Sequence, residues 1–205
     1  MSRPRRPNHS PALSPGEVRI IGGQLRGSRL PVPDLPGLRP SSDRMRETLF
    51  NWLMFDLPGR ACLDLFAGSG ALGFEAASRG AAPVLLVERD PQAVAQLRAS
   101  AERLKAAVEV HAGDAIAFLQ APPRRRFDLV FIDPPFASEL HAATLAALPA
   151  HLSERALIYV ESPPGPAPTV PADWSLHREL ATRQAHGRLY RRRGTETPSG
   201  DPPAH

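Results

Sequence analysis

Apolar positions in this chain fall into short continuous runs separated by longer stretches in which they recur every three or four residues. From residue 61 onward "ACLDLF", "APVLLVE", "AVEVHAG", "FDLVFID" and "ALIYVE" have strand length and a strand-like apolar content. Between them lie "ALGFEAASR", "QAVAQLRASAERLKA", "AIAFLQ" and "ELHAATLAALPAHL", which read as helices. In the second of these Val94, Leu97, Ala101 and Leu104 share one face, and Asp90-Pro91 supplies an N-cap and a first-turn proline. Continuous apolar strands alternating with helices predict a doubly wound, mostly parallel sheet covered on both faces. After Glu161 the rhythm changes. A proline-rich loop leads to "LHRELATRQA" and "GRLYRRR" with no helix between them, so these two must pair antiparallel, with a tight turn expected around His186-Gly187. The expected architecture is α/β, a seven-stranded and mostly parallel sheet ending in an antiparallel hairpin.

Ahead of this unit the pattern is different. "EVRIIGGQLRGSRLPVP" holds two short extended stretches broken by Gly22-Gly23 and Gly27, which predicts a small ribbon. "SSDRMRETLFNWL" follows with Ser42 or Asp43 as a cap and Met45, Leu49, Trp52 and Leu53 on one helical face. Both ends of the chain are Pro/Ser/Thr-rich and nearly free of apolar residues. The expected organisation is a disordered basic tail over 1–16, a ribbon-plus-helix extension over 17–57, the α/β unit over 58–193 and a second disordered tail over 194–205.

Charge sharpens the role of that extension. Residues 1–60 carry ten arginines against five acids, whereas residues 61–205 are nearly balanced, so the net +4 resides in the first segment. A basic segment joined to a near-neutral unit suits contact with a phosphate backbone, although a solvated arm would look the same. One cysteine, Cys62, in a predicted buried strand excludes an internal disulfide framework and a cysteine-based zinc cluster. The N-terminus lacks the apolar stretch of a secretory signal and no run approaches a membrane span, so a soluble cytoplasmic protein with no membrane partner is expected.

The first candidate for chemistry is "DLFAGSGALGFEA". Gly68, Gly70 and Gly73 fit G-x-G-x-x-G after a strand and before a helix, and Glu88 stands twenty residues after Gly68. Such glycines let a ligand approach the backbone beside an open helix N-terminus. Here, however, Asp64 ends the same strand, Glu88 the next and Asp114 the one after. Three acids at the C-terminal ends of successive parallel strands ring the place where an open sheet binds ligands. That rim suits a cationic, hydroxyl-rich molecule better than a pyrophosphate. S-adenosylmethionine fits, with its sulfonium and ammonium, a ribose diol for Glu88 and an adenine amino group for Asp114. From the glycines alone a structural turn, a nicotinamide dinucleotide and S-adenosylmethionine all stay open.

The second candidate, "FIDPPF", narrows the choice. A strand ends at Asp133, and Pro134-Pro135 hold the following chain extended. An exocyclic amino group of a nucleobase is a poor nucleophile because its lone pair is delocalised. Two acceptors aimed at its hydrogens, the Asp133 carboxylate and the Pro134 carbonyl, would free that lone pair, with Phe136 stacked on the base. Positioning would then carry most of the catalysis, and the base must leave its stack to enter. An isolated D-P-P-F could be a capped loop with a core phenylalanine; behind the glycine turn and three acids it points to amino-group methylation.

Together "DLFAGSGALGFEAASRGA", "VERD" and "FIDPPF" resemble the class I methyltransferases of exocyclic amino groups. The stretch "RIIGGQLRGSRLPVPDLPGLRPSSDRMRETLFNWL" is similar to the bacterial RsmD-type enzymes, and the resemblance covers residues 18–193. It implies a Rossmann-like class I methyltransferase fold that modifies the 2-amino group of a guanine in 16S rRNA. The partner implied is a 30S subunit or assembly intermediate, with the enzyme a monomer. Residue by residue it implies S-adenosylmethionine contacts at Asp64, Phe66, Ala67, Gly68, Gly70, Glu88, Arg89, Asp114 and Ala115. Catalysis would fall to Asp133, Pro134, Pro135 and Phe136, with Arg19, Arg26, Arg29, Arg39, Arg44 and Arg46 near an RNA-facing mouth. Competing classes are an adenine or cytosine amino methyltransferase of DNA or other RNA, a nicotinamide oxidoreductase, and a non-catalytic RNA-binding protein. His111, His141, His151 and His186 lack ligand spacing, so no metal site is expected. Trp52 reads as packing and Arg124-Arg125-Arg126 as a solvated loop at the far end of the catalytic strand.

Overall fold

The computed structural model describes residues 16–32, 43–135 and 140–194. Both expected tails lie almost wholly outside the described residues, as do Ser42, Arg39 and Phe136. The chain runs β1 (Glu17–Arg19), β2 (Arg29–Pro31), α1 (Asp43–Trp52), β3 (Cys62–Asp64), α2 (Ala71–Ser78), β4 (Val84–Glu88), α3 (Pro91–Leu104) and β5 (Val108–Ala112). It continues through α4 (Ala115–Gln120), β6 (Phe127–Ile132), α5 (Leu140–Ala147), a short 3-10 turn, β7 (Leu152–Ser162), β8 (Trp174–Ala181) and β9 (His186–Arg192).

The seven-stranded sheet has the order β5-β4-β3-β6-β7-β9-β8. β3 to β7 are parallel and β9 and β8 antiparallel, as the change of rhythm after Glu161 requires. The hairpin departs from expectation in one respect. His186 and Gly187 lie inside β9, paired with Ser162 and Glu161 of β7, and not at the turn. The turn is residues 182–185, closed by Thr182, whose amide donates to the Ala185 carbonyl and whose Oγ1 accepts from the Gln184 and Ala185 amides. Threonine makes such a turn by side-chain bonding to the backbone, a signal weaker in sequence than a glycine.

Local chemistry explains the helices of the α/β unit. Asp90 caps α3 by accepting from the Ala93 amide at 2.9 Å, and Lys105 ends that helix in the left-handed conformation. Burial divides the core in two across the sheet. Leu86, Phe131, Tyr159 and Leu189 face α1, α2 and the ribbon; Leu63, Val87, Val130, Ile132 and Val160 face α4 and α5. Cys62 is fully buried at the start of β3, where enclosure pushes its thiol up to about 12, so it is an inert core residue.

The N-terminal extension shares this core. Val18, Ile20 and Leu30 of the ribbon and Leu49 and Phe50 of α1 pack in one cluster with Phe74, Leu86 and Phe131. The segment between β1 and β2 is bolted to α2. The fully buried Glu75 carboxylate accepts from the Ile21 and Gly22 amides at 2.7 and 2.8 Å and from Arg79 Nε at 2.7 Å. Ser78 Oγ accepts from the Leu25 amide and donates to the Gly22 carbonyl. Among the described residues no helix is long and apolar enough to cross a membrane.

Candidate active site

Strand order places the site. β3 continues to β4 and β5 on one side, while β6 and β7 lie on the other, so the order of strand addition reverses between the parallel neighbours β3 and β6. In an open α/β sheet the crevice at the carboxyl ends of the strands flanking that reversal is where ligands bind. Asp64 ends β3 and Asp133 follows β6, its neighbour.

Asp64 is 2% exposed. Its Oδ2 accepts from the Gly73 amide at 3.1 Å, while Oδ1 is buried with no hydrogen-bond partner among the described residues. Burial pushes its pKa up to about 7 and the Glu88 charge adds to the rise; the Gly73 bond and the nearby Phe66 amide pull the other way. An enclosed carboxylate with an unmet acceptor is complementary to a cation. The glycines serve this arrangement. Gly70, at φ 78°, is the α2 cap and contributes no side chain to close the helix end. Gly73 permits contact with the sheet, since a Cβ there would lie 2.1 Å from Leu86 Cδ2.

Glu88, at the end of β4, reaches back to the same turn. Oε2 accepts from the Gly68 amide at 2.8 Å, and Oε1 from the Arg89 and Asp90 amides at 2.9 and 2.8 Å. Three amide donors on one carboxylate leave acceptor capacity for a hydroxyl. Ala67 is buried beside it, its amide donating to the Val87 carbonyl, and Phe66 packs partly buried against the α4–α5 core. Arg89 is exposed. Asp114 has a role that sequence reasoning did not foresee: its Oδ1 caps α4, accepting from Ile116 and Ala117 amides at 2.9 and 3.0 Å. Ala115 is buried at the first position of that helix.

On the other side of the reversal, Pro134 is buried between the partly exposed Asp133 and the exposed Pro135. Sequence reasoning missed two neighbours here. Tyr159 and Glu161 of β7 are both buried, and the Tyr159 hydroxyl donates to Glu161 Oε2 at 3.0 Å. Burial together with the Glu161 and Asp133 charges holds the Tyr159 phenol well above its ordinary pKa. The available signal was the alternation in "YVE", which puts a phenol and a carboxylate on one face of the strand neighbouring the D-P-P-F strand. His141 of α5 bonds to the Glu161 carbonyl at 2.7 Å.

Of the six arginines expected at a common mouth, those described differ in exposure and partners, with Arg19 opposite Arg29 in the ribbon. Arg46 is 1% exposed, its guanidinium bonded to the Arg19 carbonyl and paired with Asp43 at 2.6 Å, so it ties α1 to the ribbon. Arg29 pairs with Glu17 at 2.8 Å across the ribbon. Arg26 is exposed on the segment clamped over Ser78, the end of α2 remote from the glycine turn. Arg44 is exposed at the start of α1, next to Met45, which lies near Gly187 and Tyr159 at the ligand end of the sheet. Arg39 lies outside the described residues.

The model of the family described as Conserved hypothetical protein 95 matches residues 18–191, covering ribbon, helix and sheet together. The chain belongs to this family. It is 50% identical over 192 residues to Ribosomal RNA small subunit methyltransferase D of Escherichia coli strain K12, spanning 92% of this chain and 95% of that protein. The protein of the same name in Haemophilus influenzae is 44% identical over 181 residues, spanning 85% and 94%. The solved structure of yhhF from Escherichia coli superposes with a TM-score of 0.81 at 49% identity, over 87% of this chain and 99% of that one. The family thus includes the ribbon and α1 as well as the sheet.

Proposed function

We propose that this protein transfers a methyl group from S-adenosylmethionine to the exocyclic 2-amino group of a guanine in 16S rRNA. The identity to the small subunit methyltransferases D, sustained over nearly the whole chain, carries this reading. The site's chemistry supports it independently. The unmet Asp64 Oδ1 suits the donor's ammonium or sulfonium, Glu88 with the Gly68 turn suits its ribose hydroxyls, and Ala115 at the start of α4 flanks the purine. Two carboxylates beside the glycines would repel the pyrophosphate of a nicotinamide dinucleotide.

When bound, the donor supplies a methyl group already activated by its positive sulfur. The protein's task is then to bring an amino nitrogen into line and keep its lone pair available. Asp133 and the Pro134 carbonyl accept that group's two N–H bonds, and Asp133 is the acceptor in contact with the proton the amine sheds. Pro134 and Pro135 lack N–H groups, so no strand pairing extends over them to compete for this edge. Phe136 stacks on the base. Arg44, exposed at the head of α1, contacts the RNA backbone, and Arg19 and Arg39 are further candidates for that contact. The same proposal holds the protein to be a cytoplasmic monomer acting on a 30S subunit or assembly intermediate. It treats 17–57 as an RNA-facing extension of the methyltransferase unit at 58–193.

The test is a labelled-methyl assay on 30S particles, free 16S rRNA and DNA, followed by nucleoside analysis. Label recovered as N2-methylguanine from 30S particles is expected. Label in adenine or cytosine, or confined to DNA, would overturn the proposal.

A further inference from the structure

Resting on that reading, we propose that Glu161, held by Tyr159, is the residue that reads the target as guanine by accepting its N1–H. The Ile132–Val160 pair closes the β6–β7 ladder and faces the α4–α5 core. One step on, Asp133 and Glu161 therefore stand on the opposite face, the one carrying Phe131 and Tyr159. Two carboxylates project from adjacent strands at the ligand end of the sheet, with the Tyr159 hydroxyl against one of them.

Guanine presents three contiguous donors on one edge, N1–H and the two hydrogens of the 2-amino group. Two side-by-side carboxylates match that edge, Asp133 on the amino group and Glu161 on N1–H. Adenine and cytosine place a ring-nitrogen acceptor beside the amino group, so Glu161 would face a lone pair and reject them. Tyr159 is a positioning residue: its hydroxyl fixes the carboxylate plane through Oε2. Gly187 of β9 makes room for it, since a Cβ there would lie 2.6 Å from the Tyr159 hydroxyl oxygen and 3.1 Å from Met45 Sδ.

The decisive substrate is a 30S particle rebuilt with 2-aminopurine at the methylated position, which keeps the reacting amino group but has an acceptor at N1. Wild type should prefer guanine over 2-aminopurine by about 100-fold or more in kcat/KM. Glu161→Gln should shrink that preference at least about tenfold, because its amide can donate to N1, while affinity for S-adenosylmethionine stays at the wild-type value. Tyr159→Phe, which keeps the ring's packing, should shrink it by a smaller factor of roughly 3–10. An unchanged preference in Glu161→Gln with both substrates slowed equally, or an unchanged preference in Tyr159→Phe should the first variant not fold, would overturn the inference. Absence of transfer to guanine by the wild type would overturn the functional reading itself.

Discussion

The two halves of the sheet on either side of the β3/β6 reversal solve their tasks differently. On the proposed donor side, Asp64 and Glu88 end β3 and β4 and Asp114 follows β5, and the Gly73 and Gly68 amides donate to Asp64 and Glu88 respectively. On the proposed amino-group side, Asp133 follows β6 while Tyr159, Glu161, Gly187 and Met45 come from β7, β9 and α1, and they converge only after the sheet, hairpin and extension are assembled. Local motifs can build a cradle for a small cofactor. A pocket that reads a base draws on distant segments.

Variants on each side should separate these tasks. The largest expected effect is on the amino-group side: Asp133→Ala should lower methyl transfer about 10³-fold in single-turnover assays. Asp133→Asn, which still accepts a hydrogen bond, should keep part of the rate. Next comes the clamp between α2 and the N-terminal extension. Glu75→Gln leaves the Ile21 and Gly22 amides and Arg79 short of a charged acceptor, which should cost about 3 kcal/mol in chemical denaturation. It should impair transfer more than donor binding, because Arg46 ties α1 to the ribbon and Met45 of α1 stands with Tyr159 beside Gly187.

On the donor side, Asp64→Asn should weaken S-adenosylmethionine about tenfold at pH 8 by calorimetry. The pH dependence is more specific. With Asp64 at about 7 against an ordinary 3.8, the wild-type donor affinity should rise with pH up to about 7 and level off, because only the ionised carboxylate attracts the cation. Folding stability in the ligand-free protein should run the other way. The folded state binds the Asp64 proton more tightly than the unfolded one, so its contribution is full below about 4 and declines as pH rises to about 7. Both slopes should flatten in Asp64→Asn. The smallest effect is expected at Thr182→Ala, which removes the bonds that close the β8–β9 turn and should lower stability by about 1 kcal/mol without altering donor affinity.

The same contrast governs what could be read before folding. The succession of strands and helices up to β7 was legible because apolar runs and caps such as Asp90 are local. The end of β6 was legible from two consecutive prolines after an aspartate. Glu161 was not, since its significance depends on which strand lies beside β6. Arg46 misled for a related reason. An arginine on a helix reads as exposed, yet the Arg19 carbonyl and Asp43 supply the partners that let its guanidinium be buried. Asp114 was recognised as an acid at a strand end, but its bonds to Ile116 and Ala117 make it a helix cap as well.

The separation of the two halves is tested most directly by the affinity of Asp133→Ala for S-adenosylmethionine, measured by calorimetry on the same preparation that has lost methyl transfer. The expected result is an affinity within about twofold of wild type. A loss of tenfold or more would mean that Asp133 holds the donor, and would contradict the division of labour between the two sides of the sheet.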